Sequence, residues 1–142
     1  MPRIKILLPD TFSFSTSIPL RITDVNYGGH VGNVSILSII HEVRMQFFKK
    51  FGFTEMEFGG VSLIMSDVAI EFKNEVFYGD VLTAFVSITD FNRVGFEIIY
   101  KLIKTNSEKE MLVAVAKTGM VCFDYTTKKI VSVPEKMSEL FS

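Results

Sequence analysis

One stretch of this chain differs from everything around it. From Val34 to Phe51, the apolar residues Ile36, Leu37, Ile40, Val43, Phe47 and Phe51 recur at helical spacing and form a single stripe. Ser38, His41, Glu42, Lys49 and Lys50 lie largely off it. Asn33 stands where an N-cap is needed, and Gly52 where the helix should end. No other long helical pattern exists in the sequence. A lone amphipathic helix must bury its apolar face against whatever else the chain makes.

What else it makes is strand. Residues 11–20 alternate, with Phe12, Phe14, Thr16, Ile18 and Leu20 on one side and Thr11, Ser13, Ser15 and Ser17 on the other. After the helix, Val68, Ile70 and Phe72 alternate with Asp67, Glu71 and Lys73. Leu82, Ala84, Val86 and Ile88 do so with Thr83, Ser87 and Thr89, and Phe96, Ile98, Tyr100 and Leu102 with Glu97 and Lys101. Residues 111–123 are a long apolar run carrying one lysine. Tyr78-Gly79-Asp80, Asn92-Arg93-Val94-Gly95 and Asn106-Ser107-Glu108-Lys109 break these strands with turn chemistry. Such short breaks predict an antiparallel meander. Ser132-Val133-Pro134-Glu135 reads as a capping box opening a short last helix. The expected order is strand, loop, long helix, four strands, short helix. The expected fold class is α+β, with a curved antiparallel sheet wrapped around one central helix.

A length of 142 residues suits a single domain spanning 1–142. Apolar residues make up 48% of the chain and Phe occurs 14 times, so a partner subunit or ligand is expected to cover some apolar surface. The net charge of −1 comes from 15 basic and 16 acidic side chains with no basic stripe, which argues against a nucleic-acid role. No apolar run approaches a membrane span, and the N-terminal stretch is too short for a signal peptide. The lone Cys122, inside an apolar run, excludes an internal disulfide and suggests the cytoplasm; it is expected to be a small buried hydrophobe rather than a nucleophile. No paired His/Cys spacing suits a metal, and no glycine fingerprint suits a dinucleotide.

The chemistry concentrates in Asp24-Val25-Asn26-Tyr27-Gly28-Gly29-His30-Val31-Gly32-Asn33. Asp24, Asn26, His30 and Asn33 are four polar groups within ten residues, and the glycines allow backbone N–H groups to approach a ligand closely. The loop runs into a helix N-terminus, where free N–H groups and the helix dipole favour a negatively charged oxygen. Acyl transfer requires such donors at its developing oxyanion. Asp24 or His30 could act as base or orient a water; Asn26 can hold a water or carbonyl but cannot be a general base. Asp-x-Asn followed by glycines is also common turn chemistry, and Asp24 could equally brace its own loop.

Arg21-Ile22-Thr23 and the loop that follows resemble the signature of hotdog-fold acyl-CoA thioesterases of the 4-hydroxybenzoyl-CoA thioesterase-like family. In that family the loop reads Asp-x-Asp-x-x-Gly-His-Val-x-Asn and opens the central helix. His41-Glu42-Val43-Arg44 is similar to the family's Glu-x-x-Arg or Glu-x-Arg stretch, and Val76-Phe77-Tyr78-Gly79-Asp80 to its Tyr-Gly-Asp turn. The resemblance runs from about residue 12 to 137. One departure bears on mechanism: Asn26 stands where the family has its catalytic aspartate. Asp-Val-Asn…His-Val…Asn also resembles the acyl-carrier-protein thioesterases of plants, whose histidine lies two residues earlier.

The resemblance implies hydrolysis of an acyl-CoA or acyl-carrier-protein thioester, with no metal or redox cofactor, by a homodimer or homotetramer. It implies Asn26, Asp24 and His30 as the catalytic set. Tyr27, Gly28, Gly29, Val31, Gly32 and Asn33 are expected to line the substrate, and His41 and Glu42 could join them from the helix, Glu42 as a substitute carboxylate. Glu71 and Glu75 are expected to be solvated, and Phe47, Phe48, Phe51 and Phe53 to be core. Two alternatives share the fold: a non-catalytic acyl-thioester sensor, suggested by Asn26, and a hydratase or dehydratase. The latter uses Asp-x-Asn-Pro-x-His, whose proline and spacing are absent here.

Overall fold

The computed structural model describes residues 3–26, 29, 31–106 and 108–141. Strand β1 (Phe14–Pro19) leads through a 3-10 turn (Ile22–Asp24) to helix α1 (Asn33–Lys50). Strands β2 (Ser62–Phe72), β3 (Val81–Thr89), β4 (Gly95–Asn106), β5 (Lys109–Asp124) and β6 (Lys129–Ile130) follow, then helix α2 (Glu135–Leu140). Every pairing is antiparallel, in the order β1-β3-β4-β5-β2, with β6 against the end of β5.

The sheet closes over α1. Ile36, Ile39, Ile40, Val43, Phe47 and Phe48 of the helix share one core with Leu82, Ala84 and Val86 of β3, Ile98 and Leu102 of β4, and Ala114, Ala116, Met120 and Cys122 of β5. Toward the helix C-terminus, Phe47, Phe48, Phe58 and Phe96 are buried, and the partly buried Phe51, Phe53 and Phe141 pack against them. The expected phenylalanine cluster is therefore core. The outer sheet face has its own small cluster, in which Ile6 of the N-terminal segment packs on Ile99 and Val115, beside Phe12, Ala69 and Leu112. The Ile6 N–H donates to Glu71 Oε2 at 2.8 Å, so Glu71 is tied to this strap rather than simply solvated.

Several local expectations change. The buried face of α1 is wider than the stripe the spacing suggested: Ile39, Arg44 and Phe48 are buried as well, while Leu37, near the start of the helix, is exposed. The expected N-cap shifts as well. Asn33 is already helical, and extended Gly32 holds the cap position, its carbonyl accepting the Ile36 N–H at 3.1 Å. Gly52 follows the helix at φ +85, where a side chain would be strained. The meander is limited to β3, β4 and β5, because β2 crosses to the far edge beside β5 and so begins at Ser62, well before its alternating stretch. The short β6 is an additional strand. At α2 the N-cap is Pro134 with no side-chain cap, so the expected capping box of Ser132 and Glu135 does not form.

Candidate active site at the N-terminus of the central helix

The approach to α1 is built by short-range bonds. The Asp24 N–H donates to the Arg21 carbonyl at 2.9 Å, while Asp24 Oδ2 accepts the Arg21 N–H at 2.8 Å. These reciprocal bonds close the 3-10 turn and use up one carboxylate oxygen. Asp24 is only 7% exposed, and Arg21 Nε reaches it at 3.7 Å. Next, Val25 and Val31 pair as an isolated antiparallel bridge. The Gly29 N–H donates to the Asn26 carbonyl at 3.1 Å, with Gly29 at φ +80, a conformation that L side chains rarely adopt. The loop thereby doubles back and brings Asn26 over the helix start: a Cβ on Gly32 would lie 3.6 Å from Asn26 Nδ2.

Gly32 has no side chain and so supplies no cap of its own to the helix. The N–H groups of Asn33, Val34 and Ser35 lie in the first turn, where the helix itself provides no acceptor. The helix dipole adds partial positive charge at the same place.

Three hollows meet around this point. A cavity of about 280 Å³ has Val31, Ile36, Val76 and Val113 as an apolar floor, with Asn33, Phe72, Lys73, Asn74 and Glu75 also lining it. A shallow depression of about 340 Å³ runs over Asp24, Val25, Asn26 and Gly32 through Ser35. On the other flank of the helix, a groove of about 410 Å³ is lined by Arg21, Asp24, Ser38, His41, Glu42 and Gln46, among others. Asn33 is common to the first two and Asp24 to the last two.

The first cavity has a braced wall. The Val31 N–H donates to the Val76 carbonyl at 2.7 Å, joining the loop to the β2–β3 connection. Lys104, buried at 7% exposure, donates to the Glu75 carbonyl at 2.6 Å and to Asp80 Oδ2 at 3.4 Å, and its ammonium lies 5.2 Å from the Phe77 ring centre. The Tyr78-Gly79-Asp80 turn is closed by Asp80 Oδ2 accepting the Phe77 N–H at 2.9 Å, and Gly79 sits at φ +93. This turn motif is therefore a structural buttress for the helix start.

The structure thus gathers Asp24, Asn26, Gly29, Val31, Gly32 and Asn33 at one helix N-terminus. Tyr27, Gly28 and His30 lie outside the described residues. His41 and Glu42 share the flanking groove with Asp24 but not the depression that holds Asn26. Both are exposed: His41 Nε2 lies 3.3 Å from Glu55 Oε1, and Glu42 accepts Gln46 Nε2 at 2.9 Å. The sequence reading does not expect Lys73, Asn74, Glu75, Val76 and Val113 as cavity residues. It gives Glu75 as solvated and Val76 only as the start of the Tyr-Gly-Asp motif, because no local pattern records that this connection meets Asn33.

Arg44 is buried one turn past His41. Its Nε donates to Glu55 Oε1 at 2.8 Å and its Nη1 to the Tyr100 hydroxyl at 3.3 Å. Burial opposes its charge, yet the Tyr100 and Glu55 interactions outweigh that and raise its pKa. Burial in turn raises Tyr100, whose hydroxyl also meets Thr118 Oγ1 at 2.8 Å. These residues lock helix to sheet. Cys122 is fully buried and its thiol is pushed up to about 11 by desolvation, as befits a core residue.

Known proteins match this arrangement. The family model of the thioesterase-like superfamily covers residues 20–141. A 1,4-dihydroxy-2-naphthoyl-CoA hydrolase from Microcystis aeruginosa is 28% identical over 121 residues, 83% of this chain and 85% of that protein. A putative esterase from Aquifex aeolicus is 25% identical over 114 residues, 79% of this chain and 84% of that one. Among solved structures, the 4-hydroxybenzoyl CoA thioesterase of Pseudomonas sp. strain CBS-3 superposes with a TM-score of 0.80 at 20% identity, covering 92% of this chain and 99% of that one. A 1,4-dihydroxy-2-naphthoyl-CoA thioesterase from Synechocystis gives 0.70 at 20% identity, covering 90% and 94%. The helix wrapped in an antiparallel sheet is the hotdog fold, and the chain belongs to the thioesterase-like superfamily.

Proposed function

We propose that this protein is an acyl-CoA thioesterase that cleaves the acyl–sulfur bond with a positioned water. The observation that carries the reading is the helix N-terminus capped by a glycine, which has no side chain of its own to occupy the end, opening beside an apolar-floored cavity with Asn26 and Asn33 around it. First-turn N–H groups point where a thioester carbonyl would gain negative charge as water attacks. Asn26 would orient the carbonyl or the water, since its amide can donate and accept but cannot take up a proton. Asp24 would hold the loop in shape. Three of the proteins named above, the two 1,4-dihydroxy-2-naphthoyl-CoA enzymes and the 4-hydroxybenzoyl CoA thioesterase, are named for aromatic CoA thioesters, which supports a CoA thioester here over a carrier-protein one. The reaction needs no metal or redox cofactor.

A homodimer is part of this reading. β2 is an edge strand, and Val68 and Phe72, both exposed, lie on the same face as Ile70, which packs against the core. That leaves apolar surface and open backbone groups for a second copy to cover. Among the described residues no helix is long and apolar enough to cross a membrane. The single buried cysteine favours a reducing setting such as the cytoplasm.

The test is thiol release from a panel of acyl-CoAs, with acyl-carrier substrates alongside. The expected result is turnover of at least one acyl-CoA, slowed about tenfold or more by Asn26→Ala, the scale of one lost positioning contact. Binding of acyl-CoA with no turnover would favour the sensor reading, which the amide at position 26 motivates.

A further inference from the structure

Hydrolysis needs a group that takes a proton from the attacking water, and Asn26 cannot be that group. Asp24 is poorly suited, because one carboxylate oxygen already accepts the Arg21 N–H and the side chain is buried in its own turn. Glu42 lies in the groove on the other flank of the helix. In the apolar-floored cavity that Asn33 lines, the carboxylate among the described residues is that of Glu75.

We propose that Glu75 is the general base of the thioester hydrolysis, acting across the 280 Å³ cavity from the first turn of α1. This rests on the thioesterase reading above. The placement of Glu75 is fixed from both sides. The Lys73 and Asn74 N–H groups donate to the Val113 carbonyl at 2.8 and 3.3 Å, Lys104 Nζ holds the Glu75 carbonyl at 2.6 Å, and the Val76 carbonyl accepts the Val31 N–H at 2.7 Å. A residue in an inter-strand connection is thus pinned beside the helix start, as pre-organised catalysis requires.

The step balances without a co-reactant. The Glu75 carboxylate takes a proton from water as the water oxygen bonds to the thioester carbon. The carbonyl oxygen becomes an oxyanion facing the first-turn N–H groups. As the carbonyl re-forms, the carbon–sulfur bond breaks, and the thiolate leaves with the proton held by Glu75. The carboxylic acid product then ionises into solution. The charged groups around Glu75 are Lys73 in the same cavity, Glu71 paired with Lys73 at 3.3 Å, Lys104 from β4, and Asp80 of the next turn.

The experiment compares wild type, Glu75→Gln, Glu75→Asp and Glu71→Gln by thiol release from the best acyl-CoA of the panel, with full pH profiles. Glu71→Gln removes a nearby carboxylate on the outer sheet face and should leave kcat and KM unchanged. Glu75→Gln should lower kcat at least about 100-fold with KM within about threefold, and should remove the acidic limb of the kcat profile. Glu75→Asp should recover part of the rate and restore that limb. If Glu75→Gln retains more than about a third of kcat, or if the acidic limb persists in it, Glu75 is not the base although the protein is a thioesterase. A wild type that turns over nothing defeats the thioesterase reading and this assignment together.

Discussion

The carboxylate of Asp24 accepts the backbone N–H of Arg21 at 2.8 Å while the Asp24 N–H returns a bond to the Arg21 carbonyl at 2.9 Å. The first acidic residue of the signature loop therefore closes the 3-10 turn from which the loop runs into the helix. That makes amide replacement informative, because an asparagine oxygen can accept the same N–H. Asp24→Asn should keep its melting temperature close to wild type. Asp24→Ala should lose about 1 kcal/mol, the usual cost of a lost capping acceptor, and should slow thiol release at least about tenfold as the loop loosens. A hundredfold loss of kcat in Asp24→Asn with melting unchanged would instead make Asp24 the proton acceptor.

Arg44 ties the helix to two other parts of the molecule, Glu55 in the loop before β2 and Tyr100 in β4. Arg44→Met keeps much of the side-chain volume and removes the charge. Glu55 is partly exposed and can turn to water, and Tyr100 keeps Thr118, so the loss should be about 1–3 kcal/mol rather than that of a stranded buried ion. Urea titration reads it directly. A variant as stable as wild type would mean that the guanidinium contributes nothing net.

The N-terminal strap is expected to respond to acid. Donation by the Ile6 N–H lowers the Glu71 pKa first of all; partial desolvation opposes this, and the nearby Lys73 and Lys5 add to the lowering. A carboxylate lowered on folding stabilises the folded state at pH values above its ordinary value of 4.5, and that contribution disappears as pH falls through the depressed folded value. Amide exchange at Ile6 should accelerate in that acid range. Glu71→Gln, whose amide oxygen can still accept the Ile6 N–H, should exchange at a rate that changes little on acidification. Equal acid sensitivity in the variant would rule Glu71 out as the cause.

Cys122 should resist alkylation. Its thiol is fully buried and raised to about 11, so near neutral pH both access and thiolate fraction are very low. Iodoacetamide should label the unfolded chain and leave the native protein unmodified over the same period. Rapid labelling of the native protein, followed by loss of activity, would return Cys122 to the list of reactive groups.

Much of the fold was legible because period is a local property. The helical spacing of Ile36, Ile40, Val43 and Phe47 and the alternation of Leu82, Ala84, Val86 and Ile88 each specify which face must be buried, and all of these residues are buried. The resemblance carried by the loop from Asp24 to Asn33 and by the Tyr78-Gly79-Asp80 turn located the signature of the family. Pairing order was not legible. Short turns favoured a continuous meander, yet β2 pairs with β5 at the edge of the sheet rather than with β3, its neighbour in the chain. Sequence spacing also missed the burial of Arg44, which Glu55 and Tyr100 hold from two parts of the fold.

The sequence by itself determined one helix, its partner strands, the polar loop at the helix start and the amide at position 26, since each follows from residue type and near-neighbour spacing. Only the tertiary structure decided that Asp24 braces a turn, that Leu37 faces outward, and that Glu75, 42 positions after Asn33 in the chain, lines the same cavity as Asn33. The physical reason is that a strand crossover sets which distant segments meet, and no local pattern records it.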